Sequence, residues 1–192
     1  MKKLIFILSA VSILTACVDN KKADPAKVVA VNDSATTGIT QSEQGYPVKY
    51  KEFEIGKSEN IQTVLGFYKA WDNKEAGKVA DLFADTLRLR IPTEREEIVL
   101  PNAKINDALT KNRGMYDSTS NNIISAVSLH DRERNEDWVL INTYNKWVET
   151  NGKKDSLIYH DEWRINNGKI DFLWSFYKLP TKAFLKINDP KH

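Results

Sequence analysis

The chain has 192 residues, 41% of them hydrophobic and 28% charged, with a formal net charge of +2. That length holds one domain with a packed core plus a tail, and five Trp, seven Phe and seven Tyr will dominate the core. The near-neutral balance argues against nucleic acid as a partner, and a single cysteine, Cys17, excludes an internal disulfide framework.

Lys2 and Lys3 give a positive start, residues 4–14 form an apolar run too short to span a bilayer, and Leu14-Thr15-Ala16-Cys17 follows directly. This pattern resembles the signal peptide of a bacterial lipoprotein, whose lipobox ends in the cysteine. The resemblance implies removal of residues 1–16, acylation of Cys17 by palmitate-type chains, and attachment to the cell envelope. Val18 rather than Asp after the cysteine implies the outer membrane, by analogy with lipoprotein sorting. An acylated Cys17 leaves no thiol for catalysis or metal binding. Beyond the leader no apolar run is long enough for a transmembrane helix, so the expectation is a protein anchored rather than spanning.

Residues 17–45 have few large apolar side chains and no periodicity, and read as a lipidated flexible tether. As a coil it would hold the domain roughly 30 Å from the membrane. Residues 46–57 read as an extended segment that docks on the domain. Ser58 is a candidate N-cap for a helix whose stripe is Ile61, Val64, Leu65, Tyr68 and Trp71. Asn73 is placed to cap a second, shorter helix carrying Val79, Leu82 and Phe83. Short strands follow over 86–91 and 97–100 around a turn at Pro92. A third helix runs from Asn102 through Ile105, Ala108 and Leu109 to Arg113, with Gly114 as its stop.

The rest reads as an antiparallel meander of strands 123–132, 138–149, 154–166 and 169–178, with Asn151-Gly152 and Asn167-Gly168 as two-residue type I′ turns. Residues 181–192 form a C-terminal tail.

Two segments, Ile61-Gln62-Thr63-Val64-Leu65-Gly66-Phe67-Tyr68-Lys69-Ala70-Trp71 and Val79-Ala80-Asp81-Leu82-Phe83-Ala84, together with the closing hairpin around Tyr159-His160-Asp161-Glu162-Trp163, resemble the nuclear transport factor 2-like superfamily. Its SnoaL-like and ketosteroid-isomerase-like domains are included in that likeness. The resemblance covers residues 58–180. It implies an α+β, cone-shaped fold, with N-terminal helices on a strongly curved mixed or antiparallel sheet that ends in a long-stranded meander. It also implies a pocket between helices and sheet, and a homodimer built on the sheet's outer face. Superfamily members include isomerases, dehydratases, cyclases and domains that only bind.

If both Asn-Gly turns are two-residue loops, counting pairs Tyr144 with Tyr159, Asn142 with Asp161, and Leu140 with Trp163. It also pairs Trp163 with Phe172, Asp161 with Trp174, and Tyr159 with Phe176. These residues then share the aromatic face, and Tyr68, Trp71, Asn142, Tyr144, Tyr159, Asp161, Trp163 and Trp174 are the candidate pocket lining. Asp161 among aromatics loses hydration, which raises its pKa and makes it the candidate acid or base. The plainer alternative is a hydrogen bond between Asp161 and Asn142 that satisfies a polar spot in the wall. The other face carries Arg164 opposite Asp171, Glu162 opposite Leu173, and His160 opposite Ser175, joined by Val139, Ile141, Thr143 and Tyr177. His130 and His160 lie on that face with no third ligand at suitable spacing, so no metal is expected.

Phosphate loops, nucleophile elbows and paired catalytic carboxylates are absent from the sequence, and no cofactor is implied. The leading expectation is a membrane-anchored, non-catalytic domain binding a small apolar or amphipathic ligand, or a protein partner, in an aromatic pocket. The alternatives are an isomerase or dehydratase using Asp161, and a structural component of an envelope complex.

Overall fold

The computed structural model describes residues 48–50 and 52–189; the leader, Cys17 and the tether expected over 17–45 lie outside the described residues. The stripe of Val64 and Tyr68, with Ile61, Leu65 and Phe67 beside it, forms α1 (Ser58–Asp72) and presses it onto the sheet. Lys57, one residue earlier than expected, is its N-cap.

Asn73 does not start a second helix. The Lys74 amide donates to Trp71 O at 3.3 Å and the Glu75 amide to Ala70 O at 2.8 Å, with Lys74 at φ 62°. This is a left-handed helix stop of the kind glycine usually supplies, here with lysine. Two short 3-10 turns follow, Ala76–Lys78 and Ala80–Leu82. Phe83, expected in a helix, opens strand β2 (Phe83–Arg90), preceded in chain order by β1 (Phe53–Ile55).

Strand β3 (Ile98–Pro101) leads into α2 (Asn102–Arg113). Asn102 is the first residue of that helix rather than its cap. Its Nδ2 donates to the carbonyls of Ala80, Phe83 and Ala84 at 2.9–3.1 Å, while Asn106 Oδ1 accepts from the Val79 and Ala80 amides. Two asparagines one turn apart on α2 thus fix the irregular 79–84 segment.

Strands β4 (Tyr116–Asp131), β5 (Glu136–Glu149), β6 (Lys154–Asn166) and β7 (Lys169–Lys178) complete a seven-stranded sheet in the order β1-β4-β5-β6-β7-β2-β3. Among the described strands only β2 and β7 pair in parallel. β4 starts seven residues before the expected 123. Its first half, Asp117-Ser118-Thr119-Ser120-Asn121-Asn122, has little strand preference, but Asp72 at the end of α1 binds it through Thr119 Oγ1, the Asn121 amide and Asn121 Nδ2 at 2.7–3.0 Å. Within the segment 46–57, Phe53–Ile55 forms β1 and pairs with β4, Phe53 opposite Asp131. The expected tail contains a third helix, α3 (Lys182–Asn188), which lies on the sheet face opposite α1 through a Phe184–Tyr144 ring contact at 5.1 Å.

Two local features change the register expected for the meander. The β5–β6 connection is a three-residue loop: Glu149 N donates to Lys153 O at 2.8 Å, and only Gly152, not Asn151, has positive φ (83°). Such a loop closes through a left-handed glycine rather than a type I′ turn. Asn167 and Gly168, at φ 51° and 75°, do form the two-residue turn. Beyond it, however, Asp171 is an extra residue between the pairs Ile165–Ile170 and Arg164–Phe172. Each feature slips the pairing by one, and one residue of slip exchanges the faces.

The helix face therefore carries Val139, Ile141 and Thr143, all 0% exposed, with Asp161, Trp163, Ile165, Leu173 and Ser175. The outer-face assignment of Val139, Ile141, Thr143 and Tyr177 is corrected accordingly. The hydrophobic core joins Val139, Ile141, Trp163 and Ile165 of this face to Val64, Tyr68, Val79, Phe83, Leu87, Ile105 and Ile170.

Candidate functional site

Asp161 stands in the middle of β6, opposite Ile141 on one side and Ser175 on the other, and is 6% exposed. α1 brings the Tyr68 hydroxyl onto Asp161 Oδ2, and the Ser175 hydroxyl donates to Oδ1 at 2.5 Å. Both hydrogen bonds favour the ionised carboxylate. Burial opposes them and prevails, so the Asp161 pKa is raised from the usual 3.8 to about 6. The Tyr68 hydroxyl is pushed well above its ordinary range, first by burial and then by the Asp161 charge.

The cluster is closed by rings. Tyr68 and Phe67 pack on Trp163 with centroids 5.9 and 5.3 Å away, and Phe67 meets Phe83 at 5.7 Å and Trp71 at 6.1 Å. Thr143 Oγ1 and Trp163 Nε1 are buried there without a hydrogen-bond partner. Tyr159, one pair further along β6 on the same face, stacks edge-on with Tyr177 at 5.9 Å. Burial, then the Asp161 charge, raises its hydroxyl pKa to about 12.

Of the eight expected lining residues, Tyr68, Asp161 and Trp163 meet at one point, Tyr159 lies beside them, and Trp71 borders them through Phe67. Asn142, Tyr144 and Trp174 do not join. The slipped register puts Asn142 opposite His160, and Trp174 opposite Glu162, on the other face. Asn142 Nδ2 donates to Ser125 Oγ, and its Oδ1 faces His160 Nδ1 at 2.9 Å. The expected Asn142–Asp161 hydrogen bond is not formed. Ser175, expected on the outer face opposite His160, is the missed partner; only the Asp171 bulge brings it to Asp161.

Trp174 lines a different site. On the face away from α1, a cleft of about 300 Å³ has Trp174, Phe176, Ile91 and Pro92 as its apolar surface, with Arg90, Arg95 and Glu97 among its charges. The Trp174 and Phe176 rings are 5.1 Å apart and each about 40% exposed. Arg90 lies over both Phe172 (5.4 Å) and Trp174 (5.8 Å) while its Nε donates to Glu97 at 2.9 Å. Glu97 also takes Arg88 at 2.6 Å, and these arginines hold its carboxyl below the usual range. A loop tied down by one carboxylate thus forms a wall facing an aromatic floor. A second cleft, about 380 Å³, lies where Tyr144, Lys146, Lys154 and Asp189 meet.

Among the described residues, His130 and His160 stand apart from the Asp161 cluster. His130 Nδ1 faces Asp137 at 2.9 Å, and His160 Nε2 faces Glu162 at 3.4 Å. No three metal-ligating side chains gather among the described residues. The expected Arg164–Asp171 ion pair is present, with Nε–Oδ1 at 2.8 Å, and Arg164 also reaches Glu136 at 2.9 Å.

Three helices on a curved, mixed seven-stranded sheet give the described residues the cone-shaped nuclear transport factor 2-like fold. It is similar to an M. tuberculosis LEH-like epoxide hydrolase, with TM-score 0.52 and 14% identity over 63% of this chain and 84% of that one. A putative polyketide cyclase from Acidithiobacillus ferrooxidans gives TM-score 0.52 and 12% identity over 64% and 89%. A Catenulispora acidiphila protein with a ketosteroid isomerase-like fold, in complex with trimethylamine, gives 0.51 and 13% over 65% and 90%. No protein-family model matches the sequence, and no curated protein matches it. At these identities the likeness establishes the fold, and the chemistry rests on the residues.

Proposed function

We propose that this protein is an envelope lipoprotein, anchored through Cys17 to the outer membrane, whose domain binds a small amphipathic molecule without transforming it. The observation that carries the binding reading is the Trp174–Phe176 floor, exposed in a cleft of about 300 Å³ beneath Arg90. Apolar walls with a few placed polar groups are what small-ligand sites require. In this reading the aromatic site lies on the opposite side of the sheet from the pocket expected from sequence. Both oxygens of Asp161 already accept hydroxyls from this chain, which leaves neither free for a ligand.

The test uses the fluorescent amphipath 1-N-phenylnaphthylamine. Binding weakened about tenfold or more by Trp174→Ala, and unchanged by Asp161→Asn, supports the reading; the reverse pattern overturns it. Incorporation of an alkynyl palmitate analogue, lost in Cys17→Ala, tests the anchor.

A second reading rests on the Asp161 pKa near 6 beside the Tyr68 hydroxyl, a combination suited to acid–base catalysis of an isomerase or dehydratase type. It requires a substrate atom to displace one of the two hydroxyls from the carboxylate. Turnover of any enolisable ketone or hydrated substrate that Asp161→Asn abolishes would establish it.

A further inference from the structure

We propose that the segment around α3 is a second, reversible membrane contact that lies on an anionic lipid surface. From Lys178 to Asn188 the chain carries three lysines and no carboxylate. The adjacent carboxylate, Asp189, is taken by Tyr144 and Lys146 at 3.3 Å each. Lys178, Lys182 and Lys186 are exposed and have no ion-pair partner among the described residues. Leu179 and Ile187, 73% and 80% exposed, are the two most exposed large apolar side chains among the described residues.

The inner side of α3 is already used, since Phe184 packs on Tyr144. Its outward side presents Lys182 and Lys186, and Ala183 and Ile187, as adjacent i, i+4 pairs, one cationic and one apolar. The chemistry favours lipid over protein. Protein interfaces are depleted of lysine and centre on a contiguous apolar patch, whereas lysines interleaved with isolated apolar side chains match an interfacial helix on anionic lipid. Phe176, 42% exposed, lies on the same sheet face as α3. The cleft floored by Trp174 and Phe176 opens on that side as well, so the docked domain would offer its binding site to molecules leaving the bilayer.

This inference uses the lipid-anchored reading only to explain why a membrane is near. The full-length chain carrying Ile187→Cys is labelled with a nitroxide and mixed with phosphatidylcholine vesicles, with or without 30% phosphatidylglycerol. A second sample carries the label at Ile55→Cys, on the edge strand β1 and 65% exposed. Label depth is read from oxygen against nickel-chelate accessibility. The expected result is immersion of the label at 187 in anionic vesicles only, with the label at 55 remaining aqueous. Changing Lys178, Lys182 and Lys186 to Gln should weaken the contact about fivefold per lysine. A label at 187 that stays aqueous in anionic vesicles overturns the proposal. In Cys17→Ser, which has no anchor and leaves position 187 as the one thiol, the label should still immerse in anionic vesicles; that result, with the Cys17-bearing chain failing to float with pure phosphatidylcholine, refutes the anchor and leaves this contact standing.

Discussion

Replacing Asp161 by Asn measures what its buried charge costs the fold. The side chain is 6% exposed and its pKa rises from 3.8 to about 6 because burial outweighs its two hydroxyl donors. An acid with a raised folded pKa holds its proton longer in the folded state than in the unfolded chain. Between pH 4 and pH 6 the folded protein therefore binds more protons, and stability falls as pH rises. The contribution is fully present below the unfolded value of 3.8 and lost above about 6. At about 1.4 kcal/mol per tenfold change in proton affinity, the whole loss is about 3 kcal/mol. Asn imitates the protonated acid: its Oδ1 accepts one hydroxyl and its Nδ2 donates to the oxygen of the other. Chemical denaturation of both proteins from pH 4 to pH 8 should show near-equal stability at pH 4. At pH 7.5 the variant should be more stable by up to about 3 kcal/mol. Every other carboxylate cancels in the difference. Parallel curves, or an Asn variant less stable at pH 7.5, would refute the claim that burial dominates this site.

Three further outcomes follow from the packing. Asn102→Ala removes the donor to three carbonyls and should cost about 1–3 kcal/mol, read by urea denaturation with an unchanged m-value. In Gly56→Ala the new Cβ would lie 2.4 Å from Ser128 Oγ and 2.9 Å from the Leu129 amide. It should free β1 from β4, seen as faster amide exchange at residues 53–56, at a cost of about 1–3 kcal/mol. Arg113, 4% exposed, donates from Nε to Trp71 O at 2.7 Å and from Nη1 to Tyr116 O at 2.6 Å. Arg113→Lys cannot span both carbonyls and should lower the thermal midpoint by several degrees.

Much of the fold was legible because it depends on local periodicity. The stripe from Ile61 to Tyr68 placed α1, and alternation placed β6 and β7 at their observed bounds. Lys74 ended α1 in a conformation that sequence assigns to glycine, so the second helix was expected where 3-10 turns and β2 stand. The polar start of β4 was missed because Asp72, forty-nine residues before Asn121, supplies what strand preference lacks. Asp161 was found as a buried carboxylate. Its partner Ser175 was not, because a bulge leaves no mark in the composition of the strand.

The sequence by itself determined α1, α2, the order of the meander strands and the placing of Asp161 on the buried side of β6. Those follow from side-chain periodicity and turn chemistry acting within a few residues. Which partners met across the sheet was decided by one left-handed glycine at 152 and one extra residue at 171. Each moves a strand by a single residue, and because side chains alternate with period two, each exchanges the faces. Trp174 and Asn142 thereby left the helix side, Thr143 and Ser175 entered it, and the aromatic cleft formed on the side that α3 also covers.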